Sequence, residues 1–410
     1  MSISAETRER LMKTRFKYLI LCAILQLPVG ISMVWGVFQP YIMEDMNWDL
    51  NTVSVTYPIS TIMFVIGGII GGKLQIKFPP RIVVLISGVL MALGCIISAF
   101  CPKDLTIYFY ISYAIIASAG FGMCYNQSVI LPQKWFYDKR GFASGIVVSA
   151  LGISCMVGTP LTNWIFSTFR FKLSFIIIGV IFFVIAFAVS FFMKAPPEGF
   201  IIVSNDSNVT LSTRQYRPSE IIKTHQYYLL VICMICATIS FYMINPIWML
   251  LGEVKGVAIN VLLLGMMISS FANSIGRFVS STVSDIIGRR FTIMILYVLS
   301  FIGCFGAWKL GGNWLVPCFA LVCFCYGGCL ATFPAIASDF YGILHSGANY
   351  GLIMIGMGIS STVAISIGAA FSNANMPLDE RCLPASIIAL AGAVFAALLR
   401  PIKDKNKQAA

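Results

Sequence analysis

Arg277 stands near the middle of the stretch Gly265 to Arg290, GMMISSFANSIGRFVSSTVSDIIGRR, which begins as a run apolar enough to cross a membrane. It is the one charged side chain that the apolar runs of this chain place well inside a span. A charge at the centre of a bilayer costs at least ~2.5–3.5 kcal/mol, so such a residue is expected to face a wet interior. Arginine keeps its proton, and no Asp or Glu lies deep in any run to balance it. A carboxylate guest would supply the missing negative charge, and the planar guanidinium fork suits a carboxylate's two oxygens. Asn273 lies one turn earlier on the same helix face. The competing reading is structural: Asp285, about two turns on, or helix-end carbonyls pair with Arg277 and brace a gate.

One buried base favours a monocarboxylate, since a small dicarboxylate would prefer two cations. The lack of intramembrane Asp, Glu or His removes the usual proton relay, so a coupled proton would travel differently. Other polar and aromatic residues within the runs offer a lining: Gln26, Trp35, Gln39, Tyr41, Tyr57, Tyr125, Asn126, Gln127, Asn163, Tyr242, Asn245 and Trp248. Each alone reads as helix glue or interface anchoring. The expected substrate site is Arg277 with Tyr125, Trp35, Asn273 and Asn245. The glycine-broken turn after it carries Asp285, Gly288, Arg289 and Arg290, read as gating residues. Asp285 accepts hydrogen bonds at a nearby helix start, while Arg289 and Arg290 face anionic headgroups. The 13 Cys fall mostly in apolar runs without companion ligands, where Cys acts as a small hydrophobe. No nucleophile–base pair or metal set is present in the sequence, so neither an enzyme nor a cofactor is expected.

These residues need a scaffold, and composition names it. The 410 residues are 58% hydrophobic and only 11% charged, with a mean hydropathy of +0.87, whereas a soluble domain carries about 25% charged residues. This is a polytopic membrane protein. The net charge of +12 gathers in short stretches between alternate apolar runs, which argues against nucleic acid. With a polar, basic N-terminus and a long apolar run after it, no cleavable signal peptide is expected.

Twelve spans are expected, at 16–38, 52–72, 82–100, 105–130, 142–165, 172–193, 226–250, 259–281, 291–309, 313–335, 348–371 and 383–400. Each can cross a ~30 Å hydrocarbon layer, and only helices satisfy their backbone there. Basic clusters from Arg8 to Lys17, Lys73 to Arg81, Lys134 to Arg140, Lys194 to Lys223, at Arg289 and Arg290, and from Arg400 to Lys407 share one side. Acids gather on the other, among them Glu44, Asp45, Glu253 and Asp379. Both termini are therefore expected in the cytoplasm of a cell-membrane protein. The polar segment 194–225 divides an N-terminal six-helix bundle, 1–193, from a C-terminal one, 226–410. Within it, Pro218 and SEII read as the start of a short helix, and Asn208 fits a glycosylation pattern on the wrong side of the membrane. The halves echo each other: GGKLQIKFPPR, ending in Arg81, and SSTVSDIIGRR each follow the second span of a six-helix unit. Such repeats around a central cavity are a transporter architecture.

SDIIGRR is similar to the signature loop of the major facilitator superfamily, with the first-half copy degenerate at Ile76 and Pro79. The segments KWFYDKRGFASG (134–145), SIGRFVSSTVSDIIGRR (274–290) and FPAIASDFYGILHSGANYG (333–351) resemble its oxalate/formate antiporter and monocarboxylate transporter branch. The resemblance implies an all-α fold of two pseudo-symmetric six-helix bundles, a carboxylate bound at Arg277, and a cavity lined by Tyr125 and Trp35. It also implies a lysine in the eleventh span of the oxalate antiporter where this chain has Met357. The expected function is secondary transport of a small monocarboxylate such as lactate, pyruvate or formate, by a monomer, with a proton or counter-anion as coupled species. An exchanger of other organic anions, or a non-transporting sensor on the same bundle, are the alternatives.

Overall fold

The computed structural model describes residues 5–32, 34–49, 52–53, 55–197, 200 and 215–400. Eleven of its helices are long and apolar enough to cross a membrane. One of them, Arg140–Ser190, holds two spans, so the crossings number twelve, as the hydropathy pattern predicts. The joint is Arg170, whose φ of 57° and ψ of −179° break the helix. Asp45 makes that unusual backbone tolerable. Its carboxylate accepts the Phe171 N–H at 2.7 Å and caps the start of the sixth span.

The fourth span carries a π-helical stretch at Tyr110–Ala117, and three other spans are broken or tightened. The first runs as Ala5–Ser32 and restarts as Trp35–Met46, longer at both ends than the expected 16–38. The seventh tightens over Asn245–Ile247, where Pro246 lacks an N–H to continue the ladder. The eleventh is offset at Met354, between Ser346–Ile353 and Ile355–Asn373. The short helix expected after the linker forms at Pro218–Ile221, with Glu220 accepting the Arg217 N–H at 2.7 Å. Asn208 and Arg214, and Lys403 to Lys407, lie outside the described residues.

Helix packing in one half recurs six spans later in the other. The first span packs on the fifth and the seventh on the eleventh; the second packs on the fourth and the eighth on the tenth; the third packs on the sixth and the ninth on the twelfth. The close crossings need glycine. A β-carbon at Gly122 would strike the Phe64 carbonyl, and one at Gly276 would strike that of Phe324, so backbones meet where small residues permit it. Between the halves the same logic swaps partners: the fifth span packs on the eighth and the second on the eleventh.

Bonds joining the halves crowd toward the basic face. Asp285 accepts the N–H groups of Gly141 and Phe142 at 3.0 and 2.8 Å, at the positive end of the fifth-span helix. Arg289 bridges Asp285 at 2.6 Å and Asp339 at 2.9 Å, and Asp339 reaches back across the seam to Arg140 at 2.8 Å. Two acids and two bases thus balance in a largely desolvated cluster. Ser144 and Ser281 share the Ala331 carbonyl beside it. Asn126 donates to the Gly347 carbonyl and Ser338 to Gln133 Oε1. In this structure the basic face is shut.

Replacing Asp339 with Asn leaves Arg140 and Arg289 facing each other without that carboxylate. Breaking a buried pair from one side costs about 3 kcal/mol, on the order of 100-fold in the closed population. Hydrogen exchange should rise in the segments 136–146 and 281–290 of the Asp339→Asn protein. Unchanged exchange there would show that the cluster does not hold the seam.

Candidate functional site

The eighth span, Ile259–Ile287, carries Arg277 into the seam between the halves, where it is 5% exposed. Its Nε donates to Asn273 Oδ1 at 2.7 Å, one turn away on the same helix. One terminal nitrogen donates to the Val148 carbonyl of the fifth span at 3.3 Å. These two bonds use two of the five guanidinium N–H donors, and both acceptors are neutral. Among the described residues no carboxylate pairs with Arg277. Asp285 is taken up by Arg289 and by the helix start at Gly141. Among the described residues Asp285 is not the partner of Arg277, and the carbonyl that Arg277 does bond, Val148, lies in mid-helix rather than at a helix end.

Four tyrosines drawn from both halves lie in this part of the seam. Tyr125 of the fourth span and Tyr350 of the eleventh face each other across the seam, oxygen to oxygen, at 3.4 Å. Tyr242 of the seventh span and Tyr326 of the tenth pack edge to face, with ring centres 6.0 Å apart. All four lie close enough to feel the Arg277 charge, as does the Cys155 thiol of the fifth span. Phe64 and Phe241 pack against Tyr125 and Tyr326, holding those rings in place. The arrangement presents one fixed positive charge, an amide that orients it and hydroxyls that can each donate one hydrogen bond. It suits a small anion with few oxygens.

Of the residues singled out in the sequence, Arg277, Asn273 and Tyr125 come together. Trp35 does not join them. The first helix restarts at Trp35, and the ring turns into an aromatic cluster with Phe38, Phe109 and Tyr113 inside the N-terminal half. Asn245 is exposed at the tightened turn of the seventh span, toward the face opposite the basic one. Gln26 bonds Ser128 and Trp248 stacks on Phe319, packing within a half, whereas Tyr41 bonds the exposed Asn163 and the two line a cavity between the first and fifth spans. Met357 is buried in the eleventh span. Tyr326 and Tyr350 escaped notice because each sits among small residues, CYGG and NYGL, that read as helix-packing sequence.

The gating residues also sort differently from expectation. Gly288, with φ of 92°, separates the eighth span from the ninth, a backbone angle that glycine adopts without strain. Arg289 turns inward to Asp285 and Asp339 rather than out to headgroups, because two acids at under 3 Å outcompete solvent. Arg290 is half-buried beside it. Arg81 is exposed at the start of the third span and takes no part in the cluster. His345, in the turn before the eleventh span, is held below its usual pKa by burial and then by Arg217 and Lys134, so it stays neutral at physiological pH.

Comparison with known proteins agrees with this architecture. A family model described as Major Facilitator Superfamily matches residues 20–365 and again 230–409. The chain is 24% identical to the oxalate:formate antiporter of Oxalobacter formigenes, covering 97% of this chain and 95% of that protein. It is 25% identical to monocarboxylate transporter 13 of Rattus norvegicus over 40% of this chain and 38% of that one. Among solved structures, the proton:xylose symporter XylE superposes with a TM-score of 0.72 at 13% identity, over 95% of this chain and 96% of that one. Twelve crossings, a repeat of six and a family match over most of its length agree: this chain belongs to the major facilitator superfamily of membrane transporters.

Proposed function

We propose that this transporter carries a small monocarboxylate of the lactate, pyruvate or formate kind, clamped by Arg277 and moved by alternating access. The observation that carries the reading is a buried guanidinium whose bonds go to two neutral oxygens, Asn273 Oδ1 and Val148 O, with no acid paired to it among the described residues. Asn273 orients the fork, Val148 ties it to the opposite half, and Tyr125 and Tyr350 donate to the guest. Because the base bonds both halves, its occupancy bears on whether they stay together. The names of the relatives, an oxalate:formate antiporter and a monocarboxylate transporter, support a carboxylate. Met357, where the resemblance expects a lysine, favours one negative charge over two.

In this reading residues 1–193 and 226–410 are the two rocking bodies, joined by 194–225. The protein is a monomer of the cell membrane with its basic face and both termini in the cytoplasm. The coupled species is a proton or a counter-anion. Exchange of other organic anions is the nearest alternative, since the same clamp serves any single carboxylate. A sensor on the same bundle would bind without uptake in proteoliposomes.

Saturable uptake of a radiolabelled monocarboxylate should vanish in Arg277→Ala. It should weaken about 10- to 100-fold in Arg277→Lys, which keeps the charge and loses the fork. Robust uptake by the Ala protein would remove Arg277 from the substrate site. In Met357→Lys, oxalate should become a competitor of monocarboxylate uptake. Selectivity unchanged by that second base would sink the charge-matching account. Tyr350→Phe should raise KM about 3- to 10-fold with a smaller change in kcat, as expected for loss of one hydrogen bond to a charged guest. An unaltered KM would place that hydroxyl outside the site.

A further inference from the structure

A cavity of about 370 Å³ opens at the basic face between the ends of the second, fourth and sixth spans, apart from the site around Arg277. Three bases line it from three different places in the chain: Arg81 at the start of the third span, Lys134 in the last turn of the fourth, and Lys194 just after the sixth. Among the described residues none of the three pairs with a carboxylate; the ion pairs of this face engage Arg15, Arg140 and Arg289 instead. Lys134 is half-buried. A base withdrawn from water without a counter-charge is costly unless an anion joins it.

A second observation points the same way. Gln127 lies seven residues before Lys134 on the same helix, about 10 Å deeper. It lines the cavity at 1% exposure, and its Oε1 has no hydrogen-bond partner. Buried amides are normally satisfied, so an unpaired one in a basic cavity calls for a polar guest. The rim supplies the rest of the recognition. Phe78 and Phe191 line the same cavity and are 42% and 64% exposed, an apolar wall beside the bases.

We propose that this cavity binds the phosphate of an anionic phospholipid headgroup. Arg81 and Lys194 at the mouth and Lys134 within contact the phosphate. The Gln127 amide meets the polar end of the headgroup, and the acyl chains run along Phe78 and Phe191. Bases near an anionic lipid surface each strengthen association by about 5-fold. The headgroup contact expected of Arg289 thus falls to bases on the other half, because Arg289 is consumed by the seam.

The test is native mass spectrometry of the purified full-length protein with phosphatidylglycerol or phosphatidylcholine, comparing bound-lipid fractions. Wild type should prefer phosphatidylglycerol, and the exposed-site double variant Arg81→Gln/Lys194→Gln should lose about 10- to 25-fold of that preference. Lys73→Gln/Lys77→Gln removes two exposed bases of the same face outside the cavity and should stay within 2-fold of wild type. The single charge reversal Arg81→Glu provides an independent arm and should also abolish the preference. Phosphatidylcholine binding and the melting temperature should match wild type in all variants, which separates lost binding from lost folding. Retained preference in the cavity variants, or equal loss in the Lys73/Lys77 pair, overturns the proposal. Complete displacement of phosphatidylglycerol by millimolar inorganic phosphate overturns the lipid as occupant and assigns the cavity to free phosphate.

Discussion

Among the described residues no acid sits beside the buried guanidinium of Arg277, and that imbalance constrains what surrounds it. Left alone in a membrane such a base costs a few kcal/mol. An opposite charge about 4 Å away, at the effective dielectric typical of protein sites, returns about 4 kcal/mol. The two magnitudes are comparable, so an anionic guest can offset the whole cost and a neutral one cannot. The fold brings Arg277 to the seam between the halves rather than into the core of either one. Placement of the eighth span against the fifth, in contact with the other half, puts it there.

The seam divides its work by charge. Toward the basic face, Asp285 and Asp339 neutralise Arg140 and Arg289 and bind a helix start. At the level of Arg277 the contacts are neutral: carbonyl, amide and phenol oxygens. A balanced ionic cluster can hold two bodies together without a guest. A neutral ring around one base leaves the charge to be matched from outside. Small residues let both arrangements coexist, since Gly141 and Gly145 bring the fifth span against Ser281 and the backbone near Arg277.

The basic face is not uniform either. Arg140 and Arg289 are drawn into the seam by its acids, whereas Arg81, Lys134 and Lys194 line a cavity with aromatic walls and no acid. The positive-inside pattern counts all of these bases alike. What separates them is which carboxylate the fold sets within 3 Å: among the described residues Arg140 and Arg289 find Asp339 at the seam, and Arg15 finds Asp138 inside its own half.

Much of this was legible in the residues. Hydropathy alone placed twelve crossings, because lipid permits few other solutions for an uninterrupted backbone. The isolation of Arg277 was legible too, since an absence of intramembrane acids can be read without any coordinates. The joint at Arg170 was expected as a short loop and proved to be a kink, for no hydropathy signal records that Asp45, far away in sequence, caps it. The resemblance implies Trp35 in the cavity, whereas the structure packs its ring against Phe38, Phe109 and Tyr113 inside the N-terminal half. Tyr326 and Tyr350 are not among the lining residues expected from the sequence and lie within range of the base's charge. Composition and spacing by themselves determined that a membrane bundle with one unmatched charge must form. Tertiary structure decided which side chains surround that charge and which bases lose their freedom, because both depend on contacts between helices more than a hundred residues apart.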